Sequence, residues 1–152
     1  MDVECEVQEN EERPRILAVI DEYDDSKKIA DNIEQVAKPW KNPEIYVLYV
    51  VDLSYLPSDI FAGLDRKFYD KLRKKGTKVL EEVISELKSD GFDAKPAGMY
   101  FGFAAEGVLR YEKQLRPDVI VIHERQQAIK KAMKGFPVTV VAETRTPVLI
   151  AK

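Results

Sequence analysis

The sequence contains few of the residues from which metal and redox sites are made. There is one cysteine, Cys5, and one histidine, His123, in 152 residues. A single cysteine cannot form an internal disulfide bond, which is typical of a protein from a reducing compartment, so we expect a cytoplasmic location. One thiol and one imidazole also leave too few ligands for a zinc or redox centre. The sequence therefore predicts neither a metal site nor redox chemistry.

Long apolar runs and an excess of positive charge are also missing. No run approaches the ~20 apolar residues of a membrane-spanning helix, and the first residues lack the layout of a signal peptide. The net charge is −3, whereas a nucleic-acid-binding surface is strongly basic. These absences argue against membrane and nucleic-acid partners.

The acidic charge is concentrated at the start of the chain. Residues 1–13 carry six acidic side chains and one arginine, a net charge of −5, so the remaining residues together carry +2. This segment is polar and has no periodic apolar pattern, so we expect a flexible acidic arm. Residues 14–152 are numerous enough to form one domain with its own core.

Apolar runs alternate with amphipathic segments along the rest of the chain. The runs predict β-strands, and the first and fourth are apolar at consecutive positions, which is typical of strands buried on both faces. Alternation of this kind predicts an α/β fold, namely a five-stranded, parallel, open sheet with helices on both faces. The predicted strands are residues 15–20, 44–51, 93–101, 119–122 and 147–151, and the predicted helices begin after Asp25 or Ser26, at Arg66 and at Ala104.

Residues 136–146 give conflicting signals. Val138, Val140 and Val141 favour a strand by local propensity. However, two parallel strands need a crossover of a dozen or so residues between them, and this crossover is usually helical. Pro137 also suits the beginning of a helix. We therefore predict a helix over residues 136–143.

Basic residues cluster in the first half of the helix predicted over residues 66–89. No aromatic or glycine-rich segment accompanies them, so we interpret the cluster as a solvated face, with an anion site as the alternative. Gly76 interrupts the cluster and weakens the helix by about 1 kcal/mol relative to alanine. A close approach by another element would explain this glycine. The basic residues are Arg66, Lys67, Lys71, Arg73, Lys74, Lys75 and Lys78.

Several segments, taken together, resemble the signatures of the universal stress protein family. Residues 102–111, followed by residues 118–122, are similar to the family's G-x-x-A-E-x-I-x-x-x-A and D-L-I-V-M motifs. Three further segments match in the same order, namely residues 17–21 with Ser26 (I-L-V-A-x-D…S), residues 48–52 (L-H-V-V-D) and residues 146–150 (C-P-V-L-V).

The resemblance covers nearly all of the chain from Arg15 to Lys152. It implies a five-stranded parallel sheet and dimerisation through the last strand, and many members of the family bind ATP. The resemblance also places Asp21, Val50 and Ile122 at positions that hold adenosine in those members. Asp21 has a second explanation, which we favour, because an acidic turn after a strand serves helix capping and solvation.

The chain departs from the family at the loop that binds phosphate. In ATP-binding members the fourth strand is followed by G-x-x-G, nine residues and G-[S/T], whose backbone N–H groups and hydroxyl hold the phosphates. Here His123 and Gln126 stand at the first two glycine positions, and Phe136 and Pro137 stand at the last two positions. A one-residue deletion recovers only Gly135. Side chains prevent the close backbone approach, and proline removes a donor, so we expect no tight ATP binding.

Charged side chains could hold a phosphate in place of this loop. If a nucleotide binds, His123, Arg125 and Gly135 are the candidate phosphate contacts, supported by lysines 130, 131 and 134. The alternative is that residues 125–134 are a helix whose cations face water, and we favour it because good helix formers dominate the segment. His123 also lacks the companions that would make it a catalytic base.

The sequence thus predicts a homodimeric, non-enzymatic domain without a cofactor that acts in stress response or regulation through an unknown protein partner. The final strand presents Val148, Leu149 and Ile150 on an unpaired edge, which a second copy would cover. The alternative hypothesis is a switch or slow ATPase that binds ATP or AMP through a divergent phosphate loop.

Overall fold

Strands and helices alternate along the chain. The structure, a computed structural model, describes residues 13–21, 25–54, 56–123 and 135–151. The strands are β1 (Arg15–Ile20), β2 (Glu44–Asp52), β3 (Asp93–Gly102), β4 (Val119–His123) and β5 (Val148–Ala151). The helices are α1 (Ser26–Ala37), α2 (Ser58–Ala62), α3 (Arg66–Ser89), α4 (Ala104–Leu115) and α5 (Gly135–Glu143).

The strands form one parallel sheet in the order β3-β2-β1-β4-β5. The predicted five-stranded parallel α/β sheet is therefore confirmed. The order of the strands reverses beside β1, because β2 pairs with one edge of β1 and β4 pairs with the other. Open α/β sheets bind their ligands at the carboxyl ends of the strands at such a switch point.

Apolar side chains cover both faces of the sheet. On one face Ile16 and Ala18 of β1 pack in a cluster with residues of α1 and α3. On the other face Leu17 and Val19 pack with residues of α4 and with Val140 of α5. Residues 16–20 and the whole of β4 are buried, as the unbroken apolar runs predicted. The prediction of helices on both faces is also confirmed.

Of two helices in the connections between strands, the sequence predicted one and not the other. The helix predicted over residues 136–143 is present as α5 and begins one residue earlier, at Gly135. Residues 58–62, which belong to none of the predicted strands or helices, form the short helix α2 after Pro57. Five residues are too few to show helical spacing, so the apolar pattern did not reveal α2.

The start of α1 is fixed by side chains. Asp25, one of the two predicted caps, is the N-cap residue, and its Oδ1 accepts a hydrogen bond from the backbone N–H of Lys28 at 3.1 Å. Ser26 instead donates its hydroxyl to Glu82 of α3 at 2.7 Å. The cap therefore orients α1, and the serine joins α1 to its neighbour on the same face of the sheet.

Gly76 of α3 lies against the sheet, which confirms the close approach expected at this position. A Cβ atom there would lie 2.7 Å from Sδ of Met99 and 2.7 Å from the ring of Tyr49. The seven basic residues around Gly76 are all exposed. The basic cluster is thus the outer face of α3, and the glycine marks its inner face.

One acidic side chain is buried where α1 meets the end of α3. Glu34 is only 9% exposed. Burial raises the pKa of Glu34 to about 7, a hydrogen bond to Asp90 and the charges of Asp90 and Asp31 raise it as well, and Lys38 opposes these effects. The raised pKa of Glu34 thus reflects its burial first and the two neighbouring acidic side chains second.

Some predictions fall on residues that the structure does not describe. The acidic arm lies outside the described residues except for Arg13, and the helix proposed over residues 125–134 lies wholly outside them. Arg13 donates Nη2 to Asp93 at the start of β3 at 3.0 Å and Nε to the carbonyl of Asn42 at 3.0 Å. Among the described residues, no helix has the length and apolar content needed to cross a bilayer.

Candidate functional site

The candidate site lies at the carboxyl ends of β1, β2 and β4. Asp21 follows the last residue of β1, and Ile20 is in register with Tyr49, the neighbour of Val50. Ile122 is in register with Val19. The structure therefore brings Asp21, Val50 and Ile122 to one edge of three adjacent strands. Val50 and Ile122 are completely or almost completely buried, and Asp21 is 7% exposed.

His123 ends β4 at the same edge, but its side chain is buried under a helix. The imidazole is 4% exposed, and its Nε2 accepts a hydrogen bond from Nδ2 of Asn32 on α1 at 3.0 Å. Side chains alternate along β4, so that His123 shares the α1 face with Val121. Ile122 packs on the opposite face, with α4 and α5. The predicted site residues therefore project from both faces of the sheet.

The surroundings of His123 oppose a positive charge. Burial lowers the pKa of His123 below its ordinary value, and the nearby ammonium group of Lys28 lowers it further. An imidazole that accepts a hydrogen bond from an amide at Nε2 carries its proton on Nδ1. His123 is therefore a neutral ring that positions α1 against β4, and in this state it supplies no charge to attract a phosphate.

We expect the replacement His123→Gln to remove part of the loss of stability that occurs at acidic pH. The folded-state pKa of His123 is depressed, so its contribution is present above about pH 6.5 and is lost as the pH falls through the folded-state pKa. Urea unfolding at several pH values between 5 and 8 measures this contribution. As the pH falls, the unfolding free energy of the variant should decrease less than that of the wild type.

That difference isolates His123, because other titrating groups are common to both proteins. Lys27→Gln, which removes an exposed cation from the same helix, is the control and should leave the pH profile nearly unchanged. A wild-type to His123→Gln difference that stays constant from pH 8 to pH 5 would contradict the depressed pKa.

The phosphate-binding end of the predicted site is described only in part. Arg125 lies outside the described residues, as does Gln126. Gly135 is the first residue of α5, and Pro137 lies in its first turn. The N–H groups of a first helical turn are those that bind an anion, and proline has none. Compared with the serine or threonine of the family motif, Pro137 leaves the first turn of α5 without two donors, the backbone N–H and the hydroxyl.

A cavity of about 720 Å³ opens beside this edge, between α4 and α5. Its acidic lining residues are Asp52, Glu106 and Glu143, and its basic ones are Arg110 and Lys113. Glu106 and Arg110 form an ion pair at 3.4 Å. The remaining charged residues of the described lining are one cation, Lys113, and two carboxylates. A lining of this kind does not favour a triphosphate. Of the predicted nucleotide contacts that the structure describes, none lines this cavity.

Strand β5 forms one edge of the sheet. It pairs with β4 on one side, with Ile122 in register with Ile150. Leu149 is 49% exposed and Ile150 is 41% exposed, while Val148 is partly buried. A groove of about 580 Å³ adjoins Leu149 and is also lined by Val36 and Trp40. The predicted interface residues are thus an apolar, exposed sheet edge.

The sequence matches the profile of the Universal stress protein family over residues 12–152. The chain belongs to the universal stress protein family. This confirms the family suggested by the motifs, and it agrees with the sheet order and the helices described above. Comparison with curated protein sequences gives no match.

Solved structures of universal stress proteins share the fold. The hypothetical protein MJ0577 is 20% identical with a TM-score of 0.70, and the match covers 92% of this chain and 96% of that one. UspA from Lactobacillus plantarum is 16% identical with a TM-score of 0.70, covering 92% and 98%. The Archaeoglobus fulgidus protein in complex with dAMP is 15% identical with a TM-score of 0.61, covering 92% and 98%.

Two residues near this edge were not predicted from the sequence as site residues. Asn32, the partner of His123, was not selected, although it interrupts the apolar stripe formed by Ile29, Ile33 and Val36. A polar residue within such a stripe was the available signal. Asp52 stood out in the sequence only as the last residue of the L-H-V-V-D-like motif. In the structure it is 6% exposed, and its Oδ1 accepts a hydrogen bond from the backbone N–H of Ser54 at 2.9 Å.

Proposed function

We propose that this universal stress protein is a cytoplasmic homodimer that does not bind ATP tightly and acts in stress response or regulation through protein interaction. The observation that carries this proposal is the residue at the end of β4. His123 occupies the first glycine position of the phosphate loop and is a buried, neutral imidazole held by Asn32. A buried side chain at this position replaces a glycine, whose backbone could approach a phosphate closely.

The first turn of α5 supports the same proposal. Pro137 occupies the position of the serine or threonine that adds a donor beside a helix N-terminus in the family motif. The change removes both a hydroxyl and a backbone N–H group. The described part of the nearby cavity adds little attraction for an anion, because carboxylates outnumber cations among its described lining residues. Charge and backbone geometry thus both weigh against a bound triphosphate.

The exposed edge of β5 supports the homodimer. An apolar edge strand with free backbone groups invites pairing with another strand, and a second copy of the same edge can satisfy both. Leu149 and Ile150 project from opposite faces of the strand, so that pairing through β5 would cover both side chains at once.

The alternative function is an adenine-nucleotide switch or slow ATPase. One observation favours it, namely that the related Archaeoglobus fulgidus protein was solved in complex with dAMP. A nucleoside monophosphate has less need of a phosphate loop than ATP has. Asp21, Val50 and Ile122 stand together at the edge where adenosine would bind, and Arg125 would then contact the phosphate.

Thermal melts with nucleotides separate the two functions. A ligand at one hundred times its dissociation constant stabilises a protein by about 2.7 kcal/mol, which corresponds to about 5–10 °C for a domain of this size. Under our proposal, 5 mM ATP, ADP or AMP, each with and without magnesium, should shift the melting temperature by less than about 1 °C.

The controls locate any shift that does occur. A universal stress protein with the complete glycine loop serves as the positive control, and magnesium alone serves as the blank. If a nucleotide raised the melting temperature of this protein by several degrees and Asp21→Asn abolished the rise, the nucleotide-switch alternative would replace our proposal.

A further inference from the structure

Three carboxylate side chains meet where α1 packs against the end of α3. Asp31 and Glu34 are three residues apart on α1, so that they lie on one face of the helix. Asp90 is the C-cap residue of α3. One oxygen from each of the three side chains lies within 4.8 Å of the others. The cluster includes the C-cap of α3, whereas the predicted nucleotide site lies at the carboxyl ends of the strands, from which α1 and α3 begin.

Glu34 is directed into the cluster and is buried there. The residue is 9% exposed, and its Oε2 is fully buried and accepts no hydrogen bond from any donor in the described part of the chain. The group that faces it is the carboxyl of Asp90. One shared proton can join the two carboxyl groups in the hydrogen bond described above. Once that proton is lost, both groups are only acceptors, so the buried pair then needs a cation between them.

The surroundings of the cluster also favour a cation. The C-terminal end of α3 carries the negative end of the helix dipole beside Asp90. Lys38 is the basic residue that acts on Glu34, but it takes part in none of the ion pairs found among residues 13–21, 25–54, 56–123 and 135–151. The negative charge of the three acids is therefore not neutralised by a direct ion pair with Lys38.

We propose that Asp31, Glu34 and Asp90 bind a divalent cation of the calcium type and thereby fasten α1 to the end of α3. Oxygen-only ligands suit hard cations such as Ca²⁺ and Mg²⁺. Ligand oxygens on opposite sides of Ca²⁺ are about 4.6–5.2 Å apart, whereas for Mg²⁺ the separation is about 4.0–4.2 Å. The three oxygens lie within 4.8 Å of one another, so one such cation can contact all of them.

Thermal melts with calcium test the site. Asp31 and Asp90 are exposed, so we expect a dissociation constant of about 10⁻⁴ to 10⁻³ M, as in other open carboxylate sites. In EDTA-treated protein at pH 8, above the pKa of Glu34, 10 mM CaCl₂ should raise the melting temperature by about 3–10 °C relative to NaCl of equal ionic strength. Calorimetric titration with CaCl₂ should give one ion per chain at this cluster.

Substitutions show whether the rise comes from these acids. Glu34→Gln keeps the shape of the side chain and should abolish the rise, and Asp31→Asn should weaken calcium binding about tenfold or more. Glu81→Gln removes an exposed carboxylate from α3 and should behave as the wild type. No rise in the wild type, or an equal rise in wild type and Glu34→Gln, would overturn the proposal. The second result would place calcium elsewhere, for example on the acidic residues 1–12.

Discussion

Replacing Gly76 with valine is expected to lower the free energy of unfolding by about 2–4 kcal/mol. A Cβ atom at this position would lie 2.7 Å from both Sδ of Met99 and the ring of Tyr49. The side chain of Met99 can move, but Tyr49 is completely buried within the core of the sheet. Relief of the overlap therefore requires α3 to move away from β2 and β3, and such movement opens the packed face.

Urea unfolding of the valine variant measures this loss. Lys78→Val is the matched control, because it places the same side chain on the exposed face of the same helix and should cost less than about 1 kcal/mol. The difference between the two variants isolates the clash from the helix propensity of valine. If Gly76→Val were as stable as Lys78→Val, the contact between α3 and the sheet would be looser than the structure describes.

The double replacement Leu149→Lys with Ile150→Lys is expected to convert the proposed dimer into a monomer. The two side chains project from the edge strand on opposite faces and are roughly half exposed in the single chain. Lysine on an edge strand opposes pairing, because in a symmetric dimer the added charges approach one another and must be desolvated. The measured mass should therefore fall by half.

Sedimentation or light scattering at micromolar protein concentration measures the mass. Ile60→Lys is the control, since Ile60 on α2 is 51% exposed and lies away from β5, so this variant should remain dimeric. Because all three residues are exposed, the melting temperature of the monomer should change only through the loss of the interface. A wild-type protein that is monomeric at these concentrations would refute dimerisation through β5.

The two functional hypotheses assign different roles to β5 and to the candidate site at the carboxyl ends of β1, β2 and β4. In the dimer hypothesis, β5 forms the interface between the two copies, and the packing of His123 under α1 stabilises the fold. In the nucleotide hypothesis, the edge formed by Asp21, Val50 and Ile122 binds adenosine. A calcium site at Glu34 is compatible with either one, because it lies between α1 and the end of α3 rather than at the nucleotide edge.

Much of the fold was predictable because its signals are local. The apolar runs of β1 and β4 predicted central strands, and helical spacing predicted α3 with its bounds at Arg66 and Ser89. The helix α5 was predictable for a different reason. Its valines favour a strand, but the crossover between two parallel strands is usually helical, so topology outweighed propensity.

The sequence by itself determined the family, the parallel sheet and the absence of glycines from the phosphate loop, because motifs, periodicity and residue identity are properties of neighbouring residues. The tertiary structure decided which side chains meet. It placed His123 beside Asn32, ninety-one positions away, and Glu34 beside Asp90. Such pairs depend on the register of strands and the packing of helices, which bring distant residues together and set their burial and charge.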